Sequence, residues 1–260
     1  MKQKTKELLK KIIPSLFYPF ISKYYNKKVS KNLIILAKKE IKKNFEINNL
    51  FPENKIIDMI KLIRLDRLDG HINIQEKERD IFIYQLRFYR LYKFFKKNYP
   101  DMLKDKIIDV GDASGLMLKA LGKKGLAVNI DRKTVEYIKK QGIKTEIGDV
   151  ENLKYKDKSF DYSFCFQTIE HVKNPVKALS ELSRITKKRI FVSIPYKNHT
   201  IILPSEAPDH IFEFSTEDFI KIARLAGLSC VNNFPINYFE PIGSKENKGS
   251  YFNFFILELK

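Results

Sequence analysis

The sequence predicts an α/β fold with a mostly parallel sheet, an antiparallel strand pair at the C-terminal end and a helical extension at the start. Three observations predict it. From Lys106 onward, short apolar runs alternate with segments of helical periodicity, the pattern of stacked βαβ units. The last two apolar runs are separated by a Pro- and Gly-containing loop with no room for a crossover helix, so they should pair antiparallel. Residues 1 to about 100 show helical spacing without this strand and turn alternation.

In that first part, Leu33 to Asn44 and Ile56 to Leu68 are helical candidates joined by a loop around Pro52. A stronger helix is predicted from Glu76 to Lys97, where Ile81, Tyr84, Phe88, Leu91 and Phe95 recur at spacings of three and four and so share one face. Asn98 and Pro100 end it. Its stripe is expected to lie against the sheet or to cap a ligand site. Five strands follow, at Ile107–Val110, Leu126–Ile130, Lys144–Ile147, Tyr162–Phe166 and Ile190–Ile194. Helices are expected over Leu116–Gly122, Thr134–Gln141, Pro175–Ile185 and Thr216–Ala226, and the closing pair over Ser229–Phe234 and Tyr251–Leu259. Ser215 or Thr216 should cap the last helix, with Asp218 in its first turn.

At 260 residues the chain fits one large domain, or a domain over 101–260 with a helical extension or lid over 1–100. Cys165 and Cys230 both fall in apolar, strand-like runs, which predicts buried thiols and a reducing, cytoplasmic setting. The net charge of +18 raises polyanions as partners, yet the lysines are spread along nearly the whole chain. With no arginine-rich block, zinc spacing or RNA-binding signature, solvated lysines are the expectation and nucleic acid is not an expected partner. No apolar run reaches the roughly eighteen residues that span a bilayer. Within residues 8–28, lysines flank Leu16, Phe17, Tyr18 and Phe20, and Pro14 and Pro19 interrupt the run. Without a small-residue cleavage site a signal peptide is not expected. Peripheral contact with an anionic membrane and packing on the main domain both stay open for this segment.

The functional signal starts at Ile107–Leu118, IIDVGDASGLML, an apolar run that breaks into a Gly-rich turn and resumes as a helix. Twenty residues after Gly111, the run LAVNID ends in Asp131. A Gly-rich turn after a strand lets backbone N–H groups approach a ligand closely, and an acid after the next strand can accept hydrogen bonds from a ribose. The pair predicts a nucleoside ligand. The stretch Gly148 to Thr186, GDVENLKYKDKSFDYSFCFQTIEHVKNPVKALSELSRIT, then closely resembles the segment after the cofactor loop in class I S-adenosylmethionine-dependent methyltransferases of type 11. The resemblance implies a Rossmann-like, seven-stranded sheet and S-adenosylmethionine as cofactor.

In that family the first strand ends in an acid two residues before a G-x-G-x-G turn. Asp109, Gly111 and Gly115 match it, whereas Ala113 replaces the middle glycine and Asp112 fills a position usually small and neutral. Alanine is expected to take up room with its methyl and to disfavour positive φ, and Asp112 to add negative charge near the methionine end. Asp131 resembles the ribose-binding acid, with helix capping as its alternative. The resemblance implies that Asp149 accepts from the adenine amino group, that Val150 packs on the ring and that Gln167 sits beside the sulfonium.

Methyl transfer is an in-line displacement at an already activated carbon, so positioning can supply most of the catalysis and a base is needed only when the acceptor must lose a proton. His171, in QTIEHVKNP, is a candidate base, or a residue that bonds backbone at a helix start. Glu170 and His171 alone fall short of a metal ligand set, so no metal is expected. His210, in APDHIFEFS, is a candidate substrate contact or base, in a loop from Tyr196 to Phe214 long enough to form a substrate wall. His71 and His199 carry no motif. These features predict a cytoplasmic S-adenosylmethionine-dependent methyltransferase acting on a small molecule or a glycan or lipid precursor, at oxygen. A catalytically silent relative and an RNA methyltransferase are the competing readings; the N/D-P-P-Y/F tetrapeptide of amino-methylating enzymes is absent after the fourth strand.

Overall fold

The computed structural model describes residues 39, 41, 44–64, 74–122, 124–204, 209–236 and 252–260. Residues 8–28, most of the Leu33–Asn44 candidate, Leu65 to Leu68 and His71 lie outside them. Three helices open the described chain: α1 (Phe45–Leu50), α2 (Glu53–Arg64) and α3 (Ile74–Asn98), with a 3₁₀ turn at Pro100–Lys104. Helix α1 stands where the sequence pattern left only a loop.

Strands and helices then alternate as β1 (Ile107–Val110), α4 (Leu116–Ala120), β2 (Leu126–Asn129), α5 (Arg132–Lys140), β3 (Lys144–Ile147), β4 (Phe160–Phe166), α6 (Pro175–Ile185) and β5 (Thr186–Pro195). A two-stranded ribbon, β6 (Ile201–Ile202) and β7 (Phe212–Glu213), precedes α7 (Thr216–Leu225), β8 (Leu228–Ile236) and β9 (Phe252–Leu259). The seven-stranded sheet has the order β3-β2-β1-β4-β5-β9-β8. β1 to β5 run parallel, and β9 inserts antiparallel between β5 and β8. The predicted fold class and closing pair are therefore the observed ones. β5 is longer than expected because α6 passes into it at Thr186 without a loop.

Alternation along the strands divides the core between two faces. Phe164, Phe191 and Phe254 join one cluster with α1 to α4, while Cys165, Val192 and Phe255 join the other with α6 and α7. Aromatic rings fix α3 to the first face. Phe95 stacks on Phe164 with centroids 4.9 Å apart and meets Phe191 edge-on at 5.0 Å. Phe94 meets Phe254 at 5.5 Å, and Phe51 brings α1 in by stacking on Phe88 at 5.5 Å. Buried Gln85 donates to the Phe51 carbonyl and to Asn48, tying α1 to α3. Cys165 is buried and Cys230 only half-buried, because the latter lies on the outermost strand, β8; both are free thiols. Among the described residues, no helix is long and apolar enough to cross a membrane.

Because the Phe95 ring is 1% exposed and bridges helix and sheet, Phe95→Ala should lower unfolding free energy by about 3–5 kcal/mol. Urea denaturation measures it; a loss below about 1 kcal/mol would remove α3 from the shared core.

Candidate active site

The strand order reverses between β1 and β4, and open α/β sheets hold ligands at the carboxyl ends of strands at such a point. A cleft of about 820 Å³ lies there, lined by the turns after β1, β2, β3 and β4, by Met59, Tyr84, Arg87 and Phe88 from α2 and α3, and by Pro195, His210 and Phe252.

The turn after β1 is shaped by contact with its neighbour. Gly111 has φ of +87°, and a Cβ there would stand 2.1 Å from the Thr168 hydroxyl oxygen. Gly115, φ +68°, does not line the cleft; a Cβ would press on Ile138 and Ile143 at 3.1 Å, so it sets the packing of α4 instead. Ala113 is not among the residues of positive φ, so its methyl group imposes none of the expected backbone strain. The Asp112 carboxylate turns back on its own chain, accepting from the Ser114 N–H at 2.7 Å and the Gly115 N–H at 2.9 Å. It holds a turn that lacks the middle glycine.

Asn129 joins this turn to the next. Its Nδ2 donates to the Asp112 carbonyl at 2.8 Å, and its Oδ1 accepts from the Asp131 N–H at 2.9 Å. Asp131 lines the cleft and also caps α5, accepting from the Thr134 N–H and hydroxyl at 2.7 Å each. The Thr134 hydroxyl, aided by backbone N–H groups, holds that carboxyl below its usual range. Asp149 lies exposed at the rim, and Val150 is buried in the wall. Glu151 accepts from the N–H groups of Lys173 and Asn174 at 2.9 and 3.1 Å, which ties this turn to the one after β4.

Two opposite charges lie buried in the floor. Asp109 is 3% exposed and Arg87 4%. Burial pushes the Asp109 carboxyl well up, the Asp112 carboxylate adds to the rise and Arg87 opposes it. Burial likewise raises Asp112, against the N–H groups it accepts from. The Arg87 guanidinium lies 4.5 Å over the Phe252 ring and donates weakly to the Ser193 hydroxyl at 3.4 Å, while its buried Nε has no protein acceptor among the described residues. Gln167, held at φ of +53°, donates from its backbone to the Ser193 carbonyl at 2.8 Å and from Nε2 to the Ser193 hydroxyl at 3.3 Å.

His171 and His210 meet at the far end, ring centroids 4.7 Å apart. His171 Nδ1 lies 2.8 Å from the Asp209 carbonyl and 3.1 Å from its carboxylate. His210 Nδ1 lies 3.0 Å from Glu213, whose carboxylate also pairs with Lys197 at 2.5 Å. Glu170 between them is fully buried and faces the same cleft. The loop carrying His210 is anchored to α7: Asp218 accepts from the hydroxyls of Thr200 at 2.6 Å and Ser215 at 3.0 Å, and Ser215 caps the helix as expected. His199 does not line the cleft.

Comparison with known proteins accounts for this arrangement. Residues 108–192 match the model of a methyltransferase domain. A ubiquinone biosynthesis O-methyltransferase of Rickettsia typhi is 27% identical over 224 residues, covering 69% of this chain and 87% of that protein. A Thermotoga maritima structure, described as an S-adenosylmethionine-dependent methyltransferase and possible histamine N-methyltransferase, superposes with a TM-score of 0.56 at 25% identity over 72% of this chain and 96% of that one. Magnesium protoporphyrin IX methyltransferase of Synechocystis with its cofactor bound has a TM-score of 0.55 at 15% identity, covering 78% and 90%, and speaks to the fold alone. The chain belongs to the class I S-adenosylmethionine-dependent methyltransferases.

The cleft of this methyltransferase fits its cofactor in the chemistry of its floor: the Arg87 Nε is a buried donor without a protein acceptor among the described residues, suited to the carboxylate of a methionine moiety. Sequence reading missed Arg87, Asn129, Thr168 and Ser193. Arg87 was hidden because it sits within an aromatic stripe that already explained its helix; the other three have no motif and act only through contacts across turns.

The Asp218 carboxyl is pushed down to about 2, chiefly by the Thr200 hydroxyl, then by Lys221 and Ser215. A depressed folded-state value adds stability above the ordinary 3.8 that is lost as pH falls toward about 2. Asp218→Asn should therefore flatten the acid limb of a plot of thermal midpoint against pH between about 4 and 2, followed by circular dichroism. An unchanged limb would mean that Asp218 does not anchor the loop.

Proposed function

We propose that this methyltransferase methylates an oxygen of a small molecule, with glycan and lipid precursors as the classes to test first. The observation that carries the reading is the match to O-methyltransferases of ubiquinone biosynthesis over 69% of the chain. A wall of Tyr84, Phe88, Phe166 and Phe252 beside the cofactor cleft supports a ring-bearing acceptor. Lysines flanking the apolar residues within 8–28 support a cytoplasmic enzyme that meets lipid-borne acceptors at an anionic surface.

The cofactor supplies a methyl carbon activated by positive sulfur. Around it the residues divide the labour by charge. Asp131 accepts from the ribose hydroxyls while it caps α5, Asp149 takes the adenine amino group at the rim, and Val150 packs on the ring. Arg87 offers its unused donor to the methionine carboxylate. Asp109 and Asp112 face the ammonium beside it, and Gln167, fixed by Ser193, borders the sulfonium. An acceptor hydroxyl must give up its proton as the new C–O bond forms, and His171 and His210 are the residues placed to assist that loss.

Two substitutions test the division. Asp131→Asn keeps a capping oxygen and removes the charge, and Arg87→Met keeps the bulk of the stem. Each should weaken S-adenosylmethionine binding by about 10- to 100-fold in isothermal titration, the scale of one charge-assisted hydrogen bond. Transfer of radiolabelled methyl into phenolic, glycan or lipid fractions is the expected activity. Label entering only RNA or protein would replace this reading.

A further inference from the structure

One polar residue lies beneath the cleft rather than in its wall. Ser193 is 0% exposed and shares the β5 face of Phe191, with Phe166 of β4 and Phe254 of β9 as its strand neighbours. Strand alternation gives that face to apolar side chains, and a buried hydroxyl there costs free energy unless it is hydrogen-bonded. Its oxygen meets two donors: Nη2 of Arg87 at 3.4 Å and Nε2 of Gln167 at 3.3 Å. We propose that Ser193 is a positioning residue that turns the side-chain carbonyl of Gln167 toward the sulfonium, so that the site discriminates the charged methyl donor from its neutral thioether product. This role rests on the placement of the methionine moiety against Arg87 given above.

Hydrogen-bond chemistry sets the amide. A guanidinium only donates, so Arg87 takes one lone pair of the Ser193 oxygen and Gln167 Nε2 takes another. The amide oxygen Oε1 is then the end of Gln167 left to the cleft that this residue lines, and it has no hydrogen-bond partner among the described residues. Reversing the amide would set its NH₂ against a positive sulfur, two positive ends together. The backbone is tied to the same serine. Gln167 leaves β4 at φ of +53°, with its N–H donating to the Ser193 carbonyl at 2.8 Å. One bridging oxygen therefore links Gln167 to Arg87, and in a methionine moiety only a short alkyl chain separates carboxylate from sulfur.

Charge decides what this arrangement does. A carbonyl dipole attracts a sulfonium and has no comparable hold on a thioether, so the attraction disappears once the methyl group has left. Exchange of product for fresh donor is thereby favoured. Such an interaction adds to binding of the donor and does not lower the barrier to displacement.

The test titrates the full chain by calorimetry with S-adenosylmethionine and, separately, with S-adenosylhomocysteine. Ser193→Ala, with folding checked by circular dichroism, should shift the ratio of the two affinities about five- to tenfold against S-adenosylmethionine, the scale of a weakened hydrogen bond to a charge. Gln167→Met keeps the length of the side chain and removes its dipole; it should shift the ratio alike, and the double variant no further. Arg87→Met should weaken both ligands by the same factor, because both carry the carboxylate. An unchanged ratio in Ser193→Ala overturns the role of Ser193, even where Arg87→Met weakens both ligands and so upholds the cofactor placement. A ratio that moves in Ser193→Ala but not in Gln167→Met overturns it too, since the serine would then act without the amide. Both affinities intact in Arg87→Met would remove the placement itself, and the role of Ser193 with it.

Discussion

The approach of two turns governs this molecule. Gly111 and Thr168 meet so closely that no side chain fits at position 111, and this contact sets how near the end of β1 lies to the end of β4. Everything that forms the cleft is measured from it. Asn129 extends the constraint to β2 by bonding both the Asp112 carbonyl and the Asp131 amide. Glu151 extends it to the turn after β3 through the amides of Lys173 and Asn174. The cleft is therefore bounded by loops whose backbone groups are committed to one another, which is how an open sheet keeps a ligand site preorganised.

Helix α3 supplies what the sheet cannot. Its aromatic rings bury against Phe164, Phe191 and Phe254, and that burial carries Arg87 into the floor of the cleft. A guanidinium at this depth is tolerated because Asp109 is near, Phe252 offers its ring face and Ser193 accepts a weak hydrogen bond. The same helix thus stabilises one core face and places a positive charge where an anionic group of a ligand would go.

Much of this was legible in the sequence. Alternating apolar runs gave the strands, and the spacing from Gly111 to Asp131 placed two sides of the cleft. Local patterns failed wherever a role depends on contacts between distant turns. Asp112 looked like an added charge, yet its carboxylate satisfies two amides of its own turn. Ala113 looked like an obstacle to positive φ that the turn does not require there. Gly115 looked like a ligand contact and is a packing residue. Asp131 offered capping and ribose binding as alternatives, and the capping geometry leaves it lining the cleft. For His210 a loop was legible but no partner, because its approach to His171 follows from how β6, β7 and α7 fold the loop back.

That loop has its own logic. Asp218 at the start of α7 collects two hydroxyls, Ser215 caps the helix, and Glu213 is clasped by Lys197 and His210. These bonds hold His210 beside His171, with Nδ1 on Glu213 and Nε2 within 4.0 Å of the Asp209 carboxylate. His171 is treated alike, with Asp209 of the same loop holding its Nδ1. Asp209 thus faces both imidazoles, its carboxylate 3.1 Å from Nδ1 of His171 and 4.0 Å from Nε2 of His210. With the Ile211 N–H donating to the Glu170 carbonyl at 2.8 Å as well, the loop is locked to the turn after β4, and this end of the cleft is preorganised by the same kind of cross-turn contact as the other.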